Sequence, residues 1–248
     1  MADPVVIVHV YPDLLGTYGD RGNVLALAYR ARLRDLATEI LDVTVDQPLP
    51  THGDVYVIGG GEDATQLLAA RAMLADDRAA SIFGGTAPCF AVCAGLQLLS
   101  RTFLGLEGRP ESGLGVLDAT CDRLDERAVG EIVIEPVGLA GVPTLTGFEN
   151  HRGTAVVGPQ ARPLGTLVAG VGNGDGRTEG VQQGNVMATY LHGPVLVRNP
   201  ALADTVLERV TGPLAAVDRE ITEQLREERL DAADPRRRPG GRRRLLRH

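Results

Sequence analysis

Cys93 is the residue whose neighbours point most directly to chemistry. It follows the apolar run Pro88-Cys89-Phe90-Ala91-Val92 and precedes Ala94-Gly95 and a second apolar run over residues 96–99. This order predicts a strand, a sharp turn at the cysteine and a helix, which is the arrangement of a nucleophile elbow. The turn lifts the sulfur above the sheet edge, and the helix N-terminus below it favours the reactive thiolate. An ordinary buried cysteine is the alternative interpretation.

A thiolate nucleophile needs a base that takes its proton and returns one to the leaving group. Two of the five histidines suit this role. His192 follows a strand-like run over residues 186–191, and His151 lies in a polar segment that we predict to be a loop. His9 is expected to be a core residue of the first strand, and His52 and His248 are expected to be exposed.

The other cysteines carry no clear chemistry. Cys89 is predicted to pack in the core, and Cys121 has no motif around it. Cys89 and Cys93 lack a second Cys/His pair at ligand spacing, so no metal site is predicted. Three cysteines, an odd number, fit a reduced compartment better than a disulfide framework.

Gly59-Gly60-Gly61 is a third candidate for the site. Consecutive glycines let backbone N–H groups converge on an anion, here the oxyanion of a tetrahedral intermediate. The N–H of Ala94 would be a second donor. A flexible turn between a strand and a helix is the alternative interpretation of the triplet.

Alternating apolar and helical segments must position these groups. Strands are predicted at residues 5–10, 40–45, 55–58 and 88–92, helices at 24–37 and 63–80, further strands at 131–135, 144–148 and 186–191, a turn at 172–176, and closing helices at 201–210 and 215–230. The pattern predicts an α/β fold with a mostly parallel central sheet, helices on both faces and an elbow after a central strand. The loops after the first, third and fourth strands would open at the carboxyl edge, where ligands bind. We predict a single domain over residues 1–234 and a disordered Arg-rich tail over residues 235–248.

Composition excludes several functions. The chain has 248 residues and no lysine, so it cannot build a Walker A phosphate loop or a Schiff base. Its net charge is −7, and the last thirteen residues contribute +7, which leaves about −14 on the rest and argues against nucleic-acid binding. No apolar run approaches the roughly 20 residues of a membrane helix, and the start lacks signal-peptide features. We expect a cytoplasmic protein.

Four motifs resemble those of class I glutamine amidotransferases of the cobyric-acid-synthase-like branch. They are Tyr18-Gly19-Asp20-Arg21-Gly22-Asn23, Ile58-Gly59-Gly60-Gly61-Glu62-Asp63, Val92-Cys93-Ala94-Gly95-Leu96-Gln97 and Thr189-Tyr190-Leu191-His192-Gly193-Pro194. Together with Gly147-Phe148-Glu149-Asn150-His151 they are most similar to the GatD family, the stand-alone glutaminase subunits of lipid II isoglutaminyl synthase. The resemblance extends over residues 5–208 and leaves the Arg-rich tail outside.

The resemblance implies two chains with separate tasks. This chain would hydrolyse L-glutamine, and a Mur-ligase-like synthetase partner would use ATP and Mg to activate the α-carboxyl of D-glutamate in lipid II. Ammonia passing to the partner would give D-isoglutamine. No cofactor is implied for this chain, which agrees with its lack of lysine.

The motifs also imply roles for single residues. Cys93 would be the nucleophile, and His192 the general base and acid. Arg127 aligns with an arginine that holds the substrate glutamine, and a guanidinium can bind an α-carboxylate bidentately. Gly60 and Ala94 would supply the oxyanion-hole donors. A solvated loop arginine is the alternative interpretation of Arg127.

One departure concerns the acid of the triad. Many class I amidotransferases have a Glu two residues after the histidine, and this chain has Pro194 there. In triad proteases loss of the acid lowers turnover by about 10⁴. We therefore hypothesise that the partner contributes a carboxylate to His192, with Glu149 or Asp20 of this chain as the alternatives.

Three rival functions remain for a sequence of this kind. The first is amidation of another acceptor such as a corrinoid precursor, although those enzymes usually carry a synthetase domain in the same chain. The second is a DJ-1-like cysteine hydrolase or redox protein. The third is a non-catalytic binding subunit on the same fold.

Overall fold

The computed structural model describes residues 3–217 and 220–237. The strands are β1 (Val5–Val10), β2 (Thr38–Val43), β3 (Val55–Ile58), β4 (Cys89–Val92), β5 (Thr102–Leu104), β6 (Pro110–Ser112), β7 (Ala119–Thr120), β8 (Arg123–Pro136), β9 (Leu145–Gly153), β10 (Val156–Val157), β11 (Gly165–Ala169), β12 (Thr178–Glu179), β13 (Val181–Gln183) and β14 (Val186–Thr189). The helices are α1 (Arg21–Arg32), α2 (Asp63–Ala75), α3 (Ala79–Phe83), α4 (Ala94–Leu99), α5 (Val195–Arg198), α6 (Pro200–Thr211) and α7 (Glu220–Ala233).

The central sheet has six strands in the order β13-β14-β4-β3-β1-β2. All neighbours pair in parallel except β13, which runs antiparallel to β14. Every residue of β3, β4 and β14 is buried, so both faces of the sheet are covered. The predicted α/β fold with a mostly parallel central sheet is confirmed.

Parallel pairing places four loops at one edge of this sheet. β14, β4, β3 and β1 are four consecutive parallel strands of the sheet, and each ends at the same side. The loops that follow them carry Asp20, Gly60, Cys93 and His192. Groups far apart in the sequence are therefore brought to one sheet edge, as expected for this architecture.

A second sheet lies against this edge. It has the antiparallel order β12-β11-β8-β9, and β8 and β9 pair from Ala128↔His151 to Ile134↔Leu145. Phe148 of β9 also forms a β-bridge with His192. This long hairpin therefore connects the second sheet directly to the end of β14. A smaller third sheet has the order β10-β7-β5-β6.

Several sequence predictions differ from these elements. The predicted loop around His151 is wrong, because the pairing of β9 with β8 extends through His151 despite the polar sequence. The helix predicted at 63–80 is interrupted at Asp76, which adopts φ −96° and ψ 101° and separates α2 from α3. The first helix occupies Arg21–Arg32 rather than 24–37, and the last begins at Glu220 rather than 215.

The start of the predicted tail is ordered by ion pairs. Arg236 donates to Glu135 of β8 at 2.7 Å, and Arg237 pairs with Asp231 of α7 at 3.1 Å. Residues 238–248, which include most of the predicted tail and His248, lie outside the described residues. In the described part of the chain, none of the helices combines the length and apolar character needed to cross a membrane.

Candidate active site

Cys93 occupies a strained turn between β4 and α4. Its backbone has φ 53° and ψ −103°, a conformation that residues with side chains rarely adopt. Gly95 allows the helix to lie close to the sheet, because a side chain there would meet the carbonyl oxygen of Ile58 at 2.9 Å. The predicted nucleophile elbow is thus confirmed. Cys93 is 8% exposed and lines a cavity of about 400 Å³.

His192 is fixed by the second sheet. Its N–H donates to the carbonyl oxygen of Phe148 at 2.8 Å, and its own carbonyl oxygen accepts the N–H of Phe148 at 3.1 Å. The side chain is 3% exposed. The base candidate is therefore held by the backbone of β9 and largely shielded from water.

Cys93 and His192 meet over Gly60. A side-chain carbon at Gly60 would lie 3.3 Å from Cβ of Cys93 and 2.9 Å from Cε1 of His192. The absence of a side chain at Gly60 therefore leaves room for both groups. The structure brings together the two residues that the sequence predicts as nucleophile and base.

Asp20 lies on the other side of the imidazole. Its Oδ1 atom is 3.4 Å from Nδ1 of His192, and its Oδ2 atom accepts the N–H of Gly60 at 2.7 Å. The N–H of Gly60 is thus already hydrogen-bonded to Asp20 and is not free to bind an oxyanion, in contrast to the prediction. The N–H of Ala94 is in the first turn of α4, where no intrahelical acceptor is available.

The neighbours of His192 favour its charged form. Burial by itself lowers the pKa of His192, but Asp20 and Cys93 outweigh burial and raise that pKa to about 10. Hydrogen bonding of the imidazole, first with Asp20 and then with Cys93, raises this pKa more than the charges of the two groups do. His192 is therefore an imidazolium at neutral pH.

Glu149 and His151 form a separate group. The carboxylate of Glu149 accepts the N–H groups of Val171 at 2.9 Å and Gly172 at 3.0 Å, so it does not reach His192. His151 lines the Cys93 cavity, but its Nδ1 is bonded to the carbonyl of Gly153 at 2.8 Å and its ring stacks on Tyr190. Of the two acids considered in this chain, only Asp20 contacts His192.

Arg127 lines the same cavity from β8. Its Nε donates to Oδ1 of Asn150 at 2.7 Å, and its Nη2 donates to the hydroxyl of Tyr18 at 3.1 Å. The sequence pattern did not single out these two supporting side chains. The pairing of β8 with β9 explains Asn150, and the position of Tyr18 in the first motif was the one signal for it.

The remaining candidates are structural. Cys89 is fully buried, as predicted, and burial raises the pKa of its thiol far above the ordinary range. Cys121 is also buried, and burial raises the pKa of its thiol to about 11. Nδ1 of buried His9 is 2.9 Å from Oδ1 of Asp42, and His52 is exposed. Within residues 3–217 and 220–237, no three His, Cys, Asp or Glu side chains form a group that could hold a metal ion.

An elbow cysteine at the carboxyl edge of a parallel sheet, facing a histidine from the neighbouring strand, defines a class I type of amidotransferase fold. A crystal structure described as a glutamine amidotransferase superimposes with a TM-score of 0.55 at 20% identity, covering 84% of this chain and 99% of that one. That likeness concerns the fold.

Sequence comparison defines the family. Residues 6–200 match the CobB/CobQ-like glutamine amidotransferase domain, and the chain belongs to this family. It is 32% identical over 209 residues to the GatD subunit of lipid II isoglutaminyl synthase (glutamine-hydrolyzing) from Staphylococcus aureus strain N315, covering 83% of this chain and 84% of that subunit. The GatD subunit from Streptococcus pneumoniae strain R6 is 32% identical over 241 residues, covering 91% of this chain and 90% of that subunit.

Proposed function

We propose that this chain is a glutaminase subunit that releases ammonia from L-glutamine at Cys93. The observation that carries the proposal is the meeting of Cys93 and His192 over Gly60 at the sheet edge. The family supports it, because the described chain belongs to the glutamine amidotransferases. A DJ-1-like hydrolase would not explain the 84% and 90% coverage of the two GatD relatives.

The chemistry proceeds in two halves. The sulfur of Cys93 attacks the carboxamide carbon, and the tetrahedral intermediate collapses as His192 donates a proton to the departing nitrogen, which leaves as ammonia. A γ-glutamyl thioester remains on Cys93. His192 then takes a proton from water, whose oxygen attacks the thioester, and glutamate leaves as the sulfur is released. An imidazolium at neutral pH is the form that the first half requires.

Binding of glutamine falls to the wall of the cavity. Arg127 is held by Asn150 and Tyr18 with its guanidinium on the cavity lined by Cys93. We assign it to the substrate α-carboxylate, which accepts two parallel N–H groups. The N–H of Ala94 is the donor for the oxyanion, while that of Gly60 is held by Asp20.

The ammonia is delivered to a second chain in this proposal. We propose a Mur-ligase-like synthetase as that chain, which binds ATP and Mg and amidates the D-glutamate of lipid II to D-isoglutamine. The support is that both relatives are subunits of lipid II isoglutaminyl synthase. The lack of lysine in this chain agrees with nucleotide chemistry elsewhere. The heterodimer would act in the cytoplasm in peptidoglycan synthesis.

The test is ammonia release by the complex of both chains. Cys93→Ala should abolish it, because no thioester can form, and should leave partner binding intact. Cys121→Ala is the matched control, since Cys121 is a buried cysteine with no place in the reaction. Ammonia release by Cys93→Ala at the level of the control would refute the nucleophile. Amidation of a corrinoid precursor in place of lipid II would refute the proposed acceptor, but it would not contradict the proposed glutaminase activity.

A further inference from the structure

Asp20 is a buried carboxylate that the reaction above leaves without a role. Its side chain is fully shielded from solvent. Burying a carboxylate is costly unless it is paired with hydrogen-bond donors or a cation. In the described part of the chain its carboxylate contacts two groups of the site, Nδ1 of His192 at 3.4 Å and the N–H of Gly60 at 2.7 Å. The burial of a carboxylate at Asp20 is therefore explained by its contacts with these groups of the site.

The segment that carries Asp20, residues 16–23, is fastened to the chain that follows His192. A side-chain carbon at Gly22 would lie 2.1 Å from Cγ of Pro194, so the two backbones are in close contact. Oδ1 of Asn23 accepts the N–H of Leu196 at 2.9 Å. Asp20 is thus held against His192 by the contacts of Gly22 with Pro194 and of Asn23 with Leu196.

Pro194, two residues after His192, packs on the segment that supplies Asp20. We propose that Asp20 is the positioning residue of the site, whose carboxylate accepts the Nδ1 proton of His192 and directs Nε2 to Cys93. The N–H of Gly60 holds this carboxylate in place. The proposal deepens the proposed function and rests on it for the reaction, but the reactivity of Cys93 tests it independently.

The groups that face His192 define what a substitution would do. They are Asp20 from residues 16–23, Cys93 from the elbow, and the ring of Tyr18, whose centroid is 5.0 Å from that of the imidazole. In Asp20→Asn the amide oxygen can still accept the N–H of Gly60, and the amide nitrogen then faces Nδ1 as a donor. The neutral imidazole is forced to carry its proton on Nε2, the wrong tautomer for a base.

The experiment is the rate of alkylation of Cys93 by iodoacetamide between pH 5 and pH 10, read on the Cys93 peptide by mass spectrometry. For Asp20→Asn we expect a rate at least about tenfold lower at pH 6–7, since one unit of pKa on the histidine is a factor of ten. The two profiles should converge near pH 10, where an ordinary thiol ionises without help. Asp20→Glu, which keeps the charge, should recover part of the loss.

Asp42→Asn is the matched control, because Asp42 pairs with His9 at 2.9 Å on the neighbouring strand. It should reproduce the wild-type profile. A wild-type profile for Asp20→Asn, or an equal loss of alkylation rate at every pH, would overturn the proposal. The hypothesis that the partner chain supplies the carboxylate would then be favoured. Because ammonia is not the readout, failure of the glutaminase function would leave this result standing.

A second measurement covers the case in which Asp20→Asn does not fold. ¹⁵N-histidine NMR of the wild-type chain, assigned with His192→Gln, should show Nδ1 of His192 protonated from pH 6 to pH 8, because Asp20 accepts that proton. A neutral His192 whose proton lies on Nε2 would overturn the proposal without any variant of Asp20.

Discussion

At the scale of single residues, Arg127 offers the most direct test of substrate binding. Its guanidinium is already oriented by Asn150 and Tyr18, so little ordering is needed when glutamine binds. Arg127→Ala should raise KM for glutamine by about 10- to 100-fold, the effect of losing a charged hydrogen bond of about 1.5–3 kcal/mol. Steady-state kinetics with the partner present measures it.

The matched control for Arg127 is Arg71→Ala, an exposed arginine of α2. It should leave KM unchanged. If Arg127→Ala also leaves KM unchanged while the unfolding free energy falls, Arg127 serves only to connect β8 with Asn150. A loss confined to kcat would assign it to the transition state instead.

The residues of the site differ in how far the sequence determines them. Cys93 and His192 stand in compact motifs, and the turn at Cys93-Ala94-Gly95 predicts the elbow geometry directly. The sequence led to the hypothesis that the partner supplies the acid, and it could not decide between the alternatives Asp20 and Glu149, because the contact of Asp20 with His192 joins residues 172 positions apart. The hydrogen bond from the N–H of Gly60 to Asp20, which joins residues 40 positions apart, could not be predicted for the same reason. Such contacts depend on how loops from different strands fold onto one another.

At the scale of elements, one buried ion pair joins α1 to α6. Arg30 donates to both oxygens of Asp204, and Arg34, just after α1, donates to the same carboxylate at 3.0 Å. Burial alone would raise the pKa of Asp204, but the hydrogen bonds from the arginines lower it below its ordinary value. The charges are 5–8% exposed, so losing one partner leaves the others uncompensated.

Asp204→Asn should therefore lower the free energy of unfolding by about 3–5 kcal/mol, as expected when a buried pair loses one charge. Urea unfolding at pH 7 measures the change. Asp76→Asn is the control, because its partner Arg78 is 50% exposed and such surface pairs contribute about 0–1 kcal/mol. Equal losses in the two variants would show that the α1–α6 pair adds no more stability than a surface pair.

The first half of the fold could be predicted from its sequence more completely than the second. Short apolar runs such as Val55-Tyr56-Val57-Ile58 are buried on both faces and match the predicted strands closely. In contrast, β8 extends over Arg123–Pro136, far beyond the predicted 131–135. Its first half is rich in charged residues, and pairing with β9 rather than composition makes it a strand.

At the scale of the whole molecule, the site depends on the complete fold. Residues 16–23, the turn after β3, the elbow and the end of β14 each supply one group, and β9 fixes the histidine from the second sheet. These groups lie between residues 16 and 192, and no single element of the chain contains all of them. Loss of either sheet should therefore abolish the site, and the global stability of the chain controls how much active site is present.

One buried acid makes that stability depend on pH. Glu179 is fully shielded, and its Oε1 accepts the hydroxyl of Thr189 at 2.9 Å and the N–H of Tyr190 at 2.6 Å. Burial raises the pKa of Glu179 to about 8, and these hydrogen bonds offset only part of the effect. Between its ordinary value of about 4.5 and about 8, the folded chain holds a proton that the unfolded chain lacks. The contribution to stability is therefore full below about pH 4.5 and is lost as the pH rises to about 8.

Glu179→Gln stays neutral at every pH and removes this dependence. Relative to wild type, the free energy of unfolding of the variant should rise between pH 5 and pH 8 by up to about 4 kcal/mol, since each pH unit in the window changes the folding equilibrium about tenfold. Urea unfolding of both chains at the two pH values gives the difference. The control is Glu107→Gln at a side chain that is 76% exposed, which should follow wild type at both values. Parallel curves for Glu179→Gln and wild type would mean that Glu179 is ionised in the folded chain at pH 5.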